Sequence, residues 1–201
     1  MNDEKRMAGD YEIIHAMHIG DQEIVVGENL AAAAGQMYMC AFCEQNEIFA
    51  RYDEVLCSND YAEIIGIYGQ RVAEQAEKTK QLLAVPKTID NDTIPCWKSS
   101  VISSADDLNG KVVLINPDVL RREYRRATHQ VMLCDGGFGA SPNSRGTACY
   151  CVNLYTGKTS RFERRDILGI LKEDCIPEWA QNGLKRHLQE KQKKSKKGPE
   201  R

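Results

Sequence analysis

The sequence predicts an α+β protein built from two small units. Two β-rich regions, one near each end, lie on either side of one long amphipathic helical stripe. A stretch rich in Pro, Ser and Asp, closing on Asn109-Gly110, separates the halves and reads as a linker. The 201 residues, 42% hydrophobic and 28% charged, suit one medium or two small folded domains. The expected boundaries are 11–85 for an N-terminal α+β unit, 86–110 for the linker, 111–183 for a C-terminal β-rich unit with short helices, and 184–201 for a basic tail.

Residues 1–10 are polar and expected to fray. Tyr11–Ile19 and Gln22–Gly27 are β-rich runs around Gly20-Asp21, the pattern of a hairpin. Residues 31–35 are small and loosely specified, and Met37–Phe42 predicts a third strand. Ile48, Phe49, Tyr52, Val55 and Leu56 recur at helical spacing, which predicts a helix over 47–56.

A longer helix is expected after Asp60, which with Glu63 has the spacing of a capping box. Tyr61, Ile64, Ile65, Tyr68, Val72 and Ala76 form its apolar stripe, and Pro86 stops it. Gly66 and Gly69 each cost about 1 kcal/mol relative to Ala, which implies close packing on a sheet or a local break.

In the second half, Lys111–Asn116 reads as a buried strand and Val119–Arg126 as a short helix opened by Pro117-Asp118. His129–Cys134 is a further strand. Thr147–Tyr155 and Thr159–Asp166 flank Thr156-Gly157-Lys158 as a hairpin, with Ile167–Leu171 extending its second strand. Pro177 opens a terminal helix that runs into the tail.

No apolar run reaches the roughly 18–20 residues that span a bilayer, and the charged N-terminus lacks the apolar stretch of a secretion signal. The expectation is a cytoplasmic chain with no membrane partner, whose eight cysteines are thiols. Cys134, Cys149 and Cys151 fit small buried hydrophobes. The net charge of −2 hides an asymmetry: from Leu184 to Arg201, eight basic side chains face two acidic ones, leaving an acidic body with a basic tail.

Several constellations carry possible chemistry. Cys40 and Cys43 form a C-x-x-C pair, a candidate zinc site, although zinc usually takes two such pairs; the alternative is two ordinary thiols at a strand end. No other cofactor is expected. The loop 135–146 has four glycines with Ser141, Asn143, Ser144 and Arg145. Freed backbone N–H groups and Arg145 suit an anion or phosphate, while a long turn with glycines at positive φ explains the same residues. Arg121, Arg122, Arg125 and Arg126, with Arg161, Arg164 and Arg165, form either a solvated, salt-bridged face or a phosphate-binding surface for DNA or RNA. Lys193, Lys194, Lys196 and Lys197 extend that surface.

The run Pro86-Lys-Thr-Ile-Asp-Asn-Asp92 resembles the catalytic loop of phosphofructokinases, which implies phosphoryl-transfer roles for Thr88, Asp90 and Asp92. Phosphoryl transfer also needs a glycine-lined cradle for the nucleotide, and none precedes Pro86, so a capped turn accounts for the run.

Two longer blocks carry a second resemblance. One is Met-Tyr-Met-Cys-Ala-Phe-Cys-Glu with the following Phe-Ala-Arg-Tyr-Asp-Glu-Val-Leu-Cys. The other runs from Asn-Gly-Lys-Val-Val-Leu-Ile-Asn-Pro-Asp through Gly-Gly-Phe-Gly-Ala-Ser-Pro-Asn-Ser-Arg-Gly to Arg-Phe-Glu-Arg-Arg-Asp-Ile-Leu-Gly. Together they are similar to uncharacterised proteins on conjugative and other mobile elements of Gram-positive gut bacteria. The resemblance implies an accessory role in an element's maintenance, transfer or defence, and no catalytic residues. The expected function is therefore a non-enzymatic binding protein that contacts nucleic acid or another mobile-element protein. The alternative is a small-anion-binding protein or enzyme using the loop 135–146.

Overall fold

Alternating apolar residues and tight turns at Gly20-Asp21 and beyond Glu28 build the first half as an antiparallel meander. The computed structural model describes residues 5–32, 36–45 and 50–196. The chain divides into two compact units, residues 1–84 and 85–201, and the fold is α+β with two antiparallel sheets.

In the first unit the strands run in sequence order: β1 (Met7–Ala8), β2 (Tyr11–Ile19), β3 (Gln22–Glu28), β4 (Tyr38–Gln45) and β5 (Ala50–Ser58). The β2–β3 hairpin turns on Gly20 at φ +64°, where a glycine carries no Cβ penalty. The helix expected over 47–56 is instead β5 from Ala50 onward; residues 46–49 lie outside the described residues. Pairing with β4 overrode the local helical spacing, and Tyr52, one of the apolar residues in it, packs on the sheet core.

Helix α1 (Tyr61–Leu82) begins where expected. The Asp60 side chain accepts from the N–H groups of Ala62 and Glu63. The return half of the capping box is absent: Glu63 accepts from the Ser58 hydroxyl at 2.5 Å, and Ser58 Oγ accepts from Asp60 N–H. The helix is unbroken at Gly66 and Gly69, and a Cβ at either would meet open space, so neither close packing nor a break explains them.

Ile64, with no exposed surface, packs from α1 against Ile24, Val26 and Cys40 on one face of the sheet. Val25, Met39, Ala41 and Cys43 fill the other face with Ala8, Tyr11 and Tyr52. The Tyr52 hydroxyl donates to Met7 O at 3.3 Å, so the sheet curls until its edge strands approach each other.

The second unit has strand order β10-β9-β8-β7-β11-β6. The strands are β6 (Ser99–Ser100), β7 (Val112–Ile115), β8 (Val131–Gly136), β9 (Ala148–Asn153), β10 (Thr159–Glu163) and β11 (Ile167–Leu171). Residues 86–110, expected as a linker, fold with this unit. They contribute β6, the buried Ile94 and the fully buried Leu108, and Ile94 N–H donates to the Gln130 side chain at 2.8 Å.

Ile167–Leu171 does not extend β10 but pairs with β7 and β6. Only residues 164–166 join β10 to β11. A flat sheet would separate these strands by four spacings, roughly 19 Å, whereas four Cα steps reach at most about 14 Å. The sheet must therefore curl. Its inner face holds Val113, Ile115, Met132, Cys134, Cys149, Cys151 and Ile167. Its outer face carries Leu114, Val131, Leu133 and Val152, covered by helix α3 (Glu178–Lys196) through Trp179, Ala180 and Leu184.

The helix expected over 119–126 is two short 3-10 turns, Pro117–Val119 and Arg122–Tyr124, and α2 is a single turn, Ala127–Gln130. Among the described residues, no helix is long and apolar enough to cross a membrane.

Candidate functional site

Charge divides between the units. Residues 1–84 carry 6 basic and 15 acidic side chains, net −9; residues 85–201 carry 21 and 14, net +7. Most of that excess sits on residues 184–201, which carry 8 basic and 2 acidic side chains, while residues 85–183 carry 13 and 12, net +1.

The expected arginine surface separates into engaged and exposed members. Arg164 donates to three backbone carbonyls, Gly139 O and Ser103 O at 2.6 Å and Asp106 O at 2.8 Å. It pins two loops beside the β10–β11 turn and is spent structurally. Arg165 pairs with Glu163 at 2.8 Å. Arg125 donates to Leu120 O and Asp118 O, and Arg121 and Arg126 are engaged as well. Because the segment is not a helix, helical spacing does not put Arg121 with Arg125, or Arg122 with Arg126, on one face. Arg122, Arg145 and Arg161 are exposed.

The loop 135–146 owes its glycines to close approach. A Cβ on Gly137 would lie 2.3 Å from Ala148 O, and one on Gly139 2.2 Å from Thr147 O. Several loop N–H groups are already used: Ala140 donates to Gly137 O, Ser141 to Phe138 O, Asn143 to Ser104 O and Gly146 to Ser144 Oγ. Ser141, Asn143, Ser144 and Arg145 are exposed, with Asn143 at φ +53°. The same packing turns Phe138 outward, leaving it 80% exposed.

Phe138 leads to a surface that the sequence did not single out. Tyr150 is half exposed and sits opposite Arg161 across β9–β10 and opposite Gly136 across β8–β9. Cys149 and Cys151 point into the core, so Tyr150 points away from it, and Arg161 shares its face. A Cβ on Gly146 would touch Phe138 Cβ at 2.5 Å, which brings Arg145 alongside Phe138 in the chain path. Tyr150 and Arg161 thus share one face of β9–β10, and the exposed Phe138 and Arg145 lie on the adjoining loop, which packs on the start of β9. The available signal was the odd position of Tyr150 between two buried cysteines.

Helix α3 makes the tail part of the fold. Leu184 packs on the core, and Lys191 pairs with Asp135 at the start of the glycine-rich loop. His187 Nε2 lies 3.5 Å from Asp135 Oδ2. Lys193 is exposed; Lys194 and Lys196 lie in the last turns of the helix, and Lys197 falls outside the described residues.

Thr88, Asp90 and Asp92 are exposed, and Asp90 accepts from the N–H of Asp92 within its own turn. Asn91 anchors the run: its carbonyl accepts from Ala127 N–H and its side chain from Thr128 N–H. An open groove of about 770 Å³ lies between Asn91–Thr93 and Arg125–Arg126. Tyr124 stacks on His129 with centroids 4.8 Å apart, and burial together with Arg126 lowers the His129 pKa to about 4.

Cys40 and Cys43 stand three residues apart on β4 and face opposite sides of the sheet, Cys40 toward α1 and Cys43 toward the other core. A strand's period of two makes them unsuited to share one ion. Burial pushes both thiols up, and each lies near an arginine, Arg71 and Arg6 respectively. Among the described residues, no three His, Cys, Asp or Glu side chains gather as a metal site. Comparison with protein-family models, curated proteins and solved structures finds no match to this chain.

Proposed function

We propose that this chain is a cytoplasmic, non-enzymatic nucleic-acid-binding protein serving a mobile genetic element, and that its second unit makes the contact. The observation that carries the reading is the division of charge, −9 against +7, of which residues 184–201 carry +6, with exposed arginines and aromatic rings on the same unit. Phosphates attract the cations without regard to sequence, and Tyr150 and Phe138 offer faces on which unpaired bases stack. The acidic unit repels the same phosphates, which suits it to contact another protein of the element.

The test is fluorescence anisotropy of the full chain with a labelled 20-nucleotide single strand, DNA and RNA in turn, at 50 and 200 mM salt. Binding should weaken at least tenfold across that range. Lys193→Gln with Lys194→Gln should weaken it further at fixed salt. Absence of binding at 50 mM, or binding indifferent to salt, would sink the proposal. Deleting 184–201 is a poor test, because Leu184 belongs to the core.

A further inference from the structure

The inner face of the second sheet brings three thiols together. Cys134 on β8 and Cys149 and Cys151 on β9 are all fully buried in one cluster. Cys134 lies directly opposite Cys151 in the β8–β9 register. Its N–H donates to Lys111 O at 2.9 Å and its carbonyl accepts from Gly110 at 2.8 Å, so both backbone groups point toward β7. Neither points toward β9, which makes Cys134 and Cys151 a non-hydrogen-bonded antiparallel pair. Cα atoms in such pairs lie about 4.5 Å apart, inside the roughly 4.4–6.8 Å window that a disulfide requires. Cys149, two residues along the same strand, has its nearest backbone partner in Thr147 O, 3.8 Å from its Sγ.

We infer that Cys134 and Cys151 are a latent disulfide, closed by a peroxide and spanning the base of the glycine-rich loop. The Cys134 thiolate attacks one oxygen of hydrogen peroxide, the O–O bond breaks, and a sulfenic acid forms as water leaves. The Cys151 sulfur then attacks the Cys134 sulfur, the S–O bond breaks, and the second water departs with the Cys151 proton. Two thiols are oxidised to one S–S bond, and one peroxide is reduced to two waters. Hydrogen bonding from Cys151 holds the Cys134 thiol down at about 7, which supports Cys134 as the sulfur that reacts first. Cys149 is pushed up by burial and Cys151 still further by its hydrogen bond to Cys134, so it is the direct opposition across β8–β9 that selects Cys151 as the resolving partner. A small oxidant suits the site, because the thiols are closed to large ones. The link would tie together the two strands that flank Phe138 and Arg145, independently of whether the chain binds nucleic acid.

The experiment treats the native, reduced full chain with hydrogen peroxide sufficient to oxidise the exposed Cys57 and Cys96. Remaining thiols are then alkylated in denaturant and the chain is digested with trypsin without reduction. Cleavage after Arg126, Arg145 and Lys158 places Cys134 in peptide 127–145 and both other cysteines in peptide 146–158. The expected product joins these peptides, and fragmentation at Tyr150 assigns the bond to Cys151, with Cys149 alkylated. A bond to Cys149, or full alkylation of Cys134 after Cys57 and Cys96 have reacted, would overturn the inference.

Discussion

The two units use arginine in opposite ways. In the first unit all three arginines are claimed internally: Arg6 by Glu23, Arg51 by Asp53, and Arg71 by backbone carbonyls. Arg71 donates to Cys40 O at 3.2 Å and Glu54 O at 2.7 Å where β4 and β5 slip register, and its guanidinium lies 4.8 Å over Phe42. In the second unit Arg164 plays the corresponding part, while Arg122, Arg145 and Arg161 remain at the surface. The contrast teaches that a count of cations says little about a binding face. What matters is which cations the backbone has left unclaimed.

The largest effect should separate the two staples. Arg164→Ala leaves three carbonyls without their charged donor and should cost the second unit about 3 kcal/mol; Arg71→Ala, with two carbonyls, should cost the first unit about 2 kcal/mol. Hydrogen exchange would show which unit's amides lose protection. Equal loss in both units from either variant would break the comparison.

Next in size is a pH effect confined to the second unit. His129 has its pKa lowered to about 4, foremost by burial. The unfolded chain, with a histidine near 6.5, therefore binds more protons between the two values, and stability rises with pH over that window and is flat below it. About 1–2 kcal/mol should be lost between pH 7 and 4.5 once solvent screening is allowed for. Urea unfolding followed at the second unit should show this loss, and His129→Gln should remove it.

A tenfold weakening of single-strand binding, about 1.4 kcal/mol, is expected for Arg161→Ala combined with Arg145→Ala, with the salt slope falling by roughly 1 for each phosphate that is no longer neutralised. Arg51→Ala in the first unit should leave binding unchanged. A slope that stays fixed in the double variant would move the interface elsewhere on the basic unit.

The smallest effects should be stabilising. Gly66→Ala and Gly69→Ala fill open space on α1 and should each add up to about 1 kcal/mol. Loss of stability at either site would mean that this face of the helix is covered by a partner.

The local readings that held are those in which a few neighbouring residues settle the outcome. Gly20-Asp21 turned the hairpin, Asp60 capped α1, and Val112–Ile115 formed a strand buried on both faces. The readings that failed concern partners distant in sequence. The spacing of Ile48 to Leu56 suits a helix until β4 offers a ladder, and Ile167–Leu171 looks like a continuation of β10 until β7 pairs with it. The linker expected over 86–110 was polar in composition, yet Ile94 and Leu108 are core residues.

The candidate site was legible only in its ingredients. The glycines, arginines and lysines were visible, but the placing of Tyr150 beside Arg161 depends on strand register. Cys40 and Cys43 show the reverse case. Their odd spacing already places them on opposite faces once β4 is accepted as a strand, as period-two alternation requires.

By itself, then, the sequence determined the α+β class, the capped helix, the sites of the tight turns and the overall charge. These follow from short-range sterics, hydrogen bonding and composition. Only the tertiary structure decided the strand order, the curl that encloses the three thiols, and which arginines are spent on carbonyls. Those depend on contacts between residues far apart in the chain, and no local pattern encodes which distant backbone group a side chain will meet.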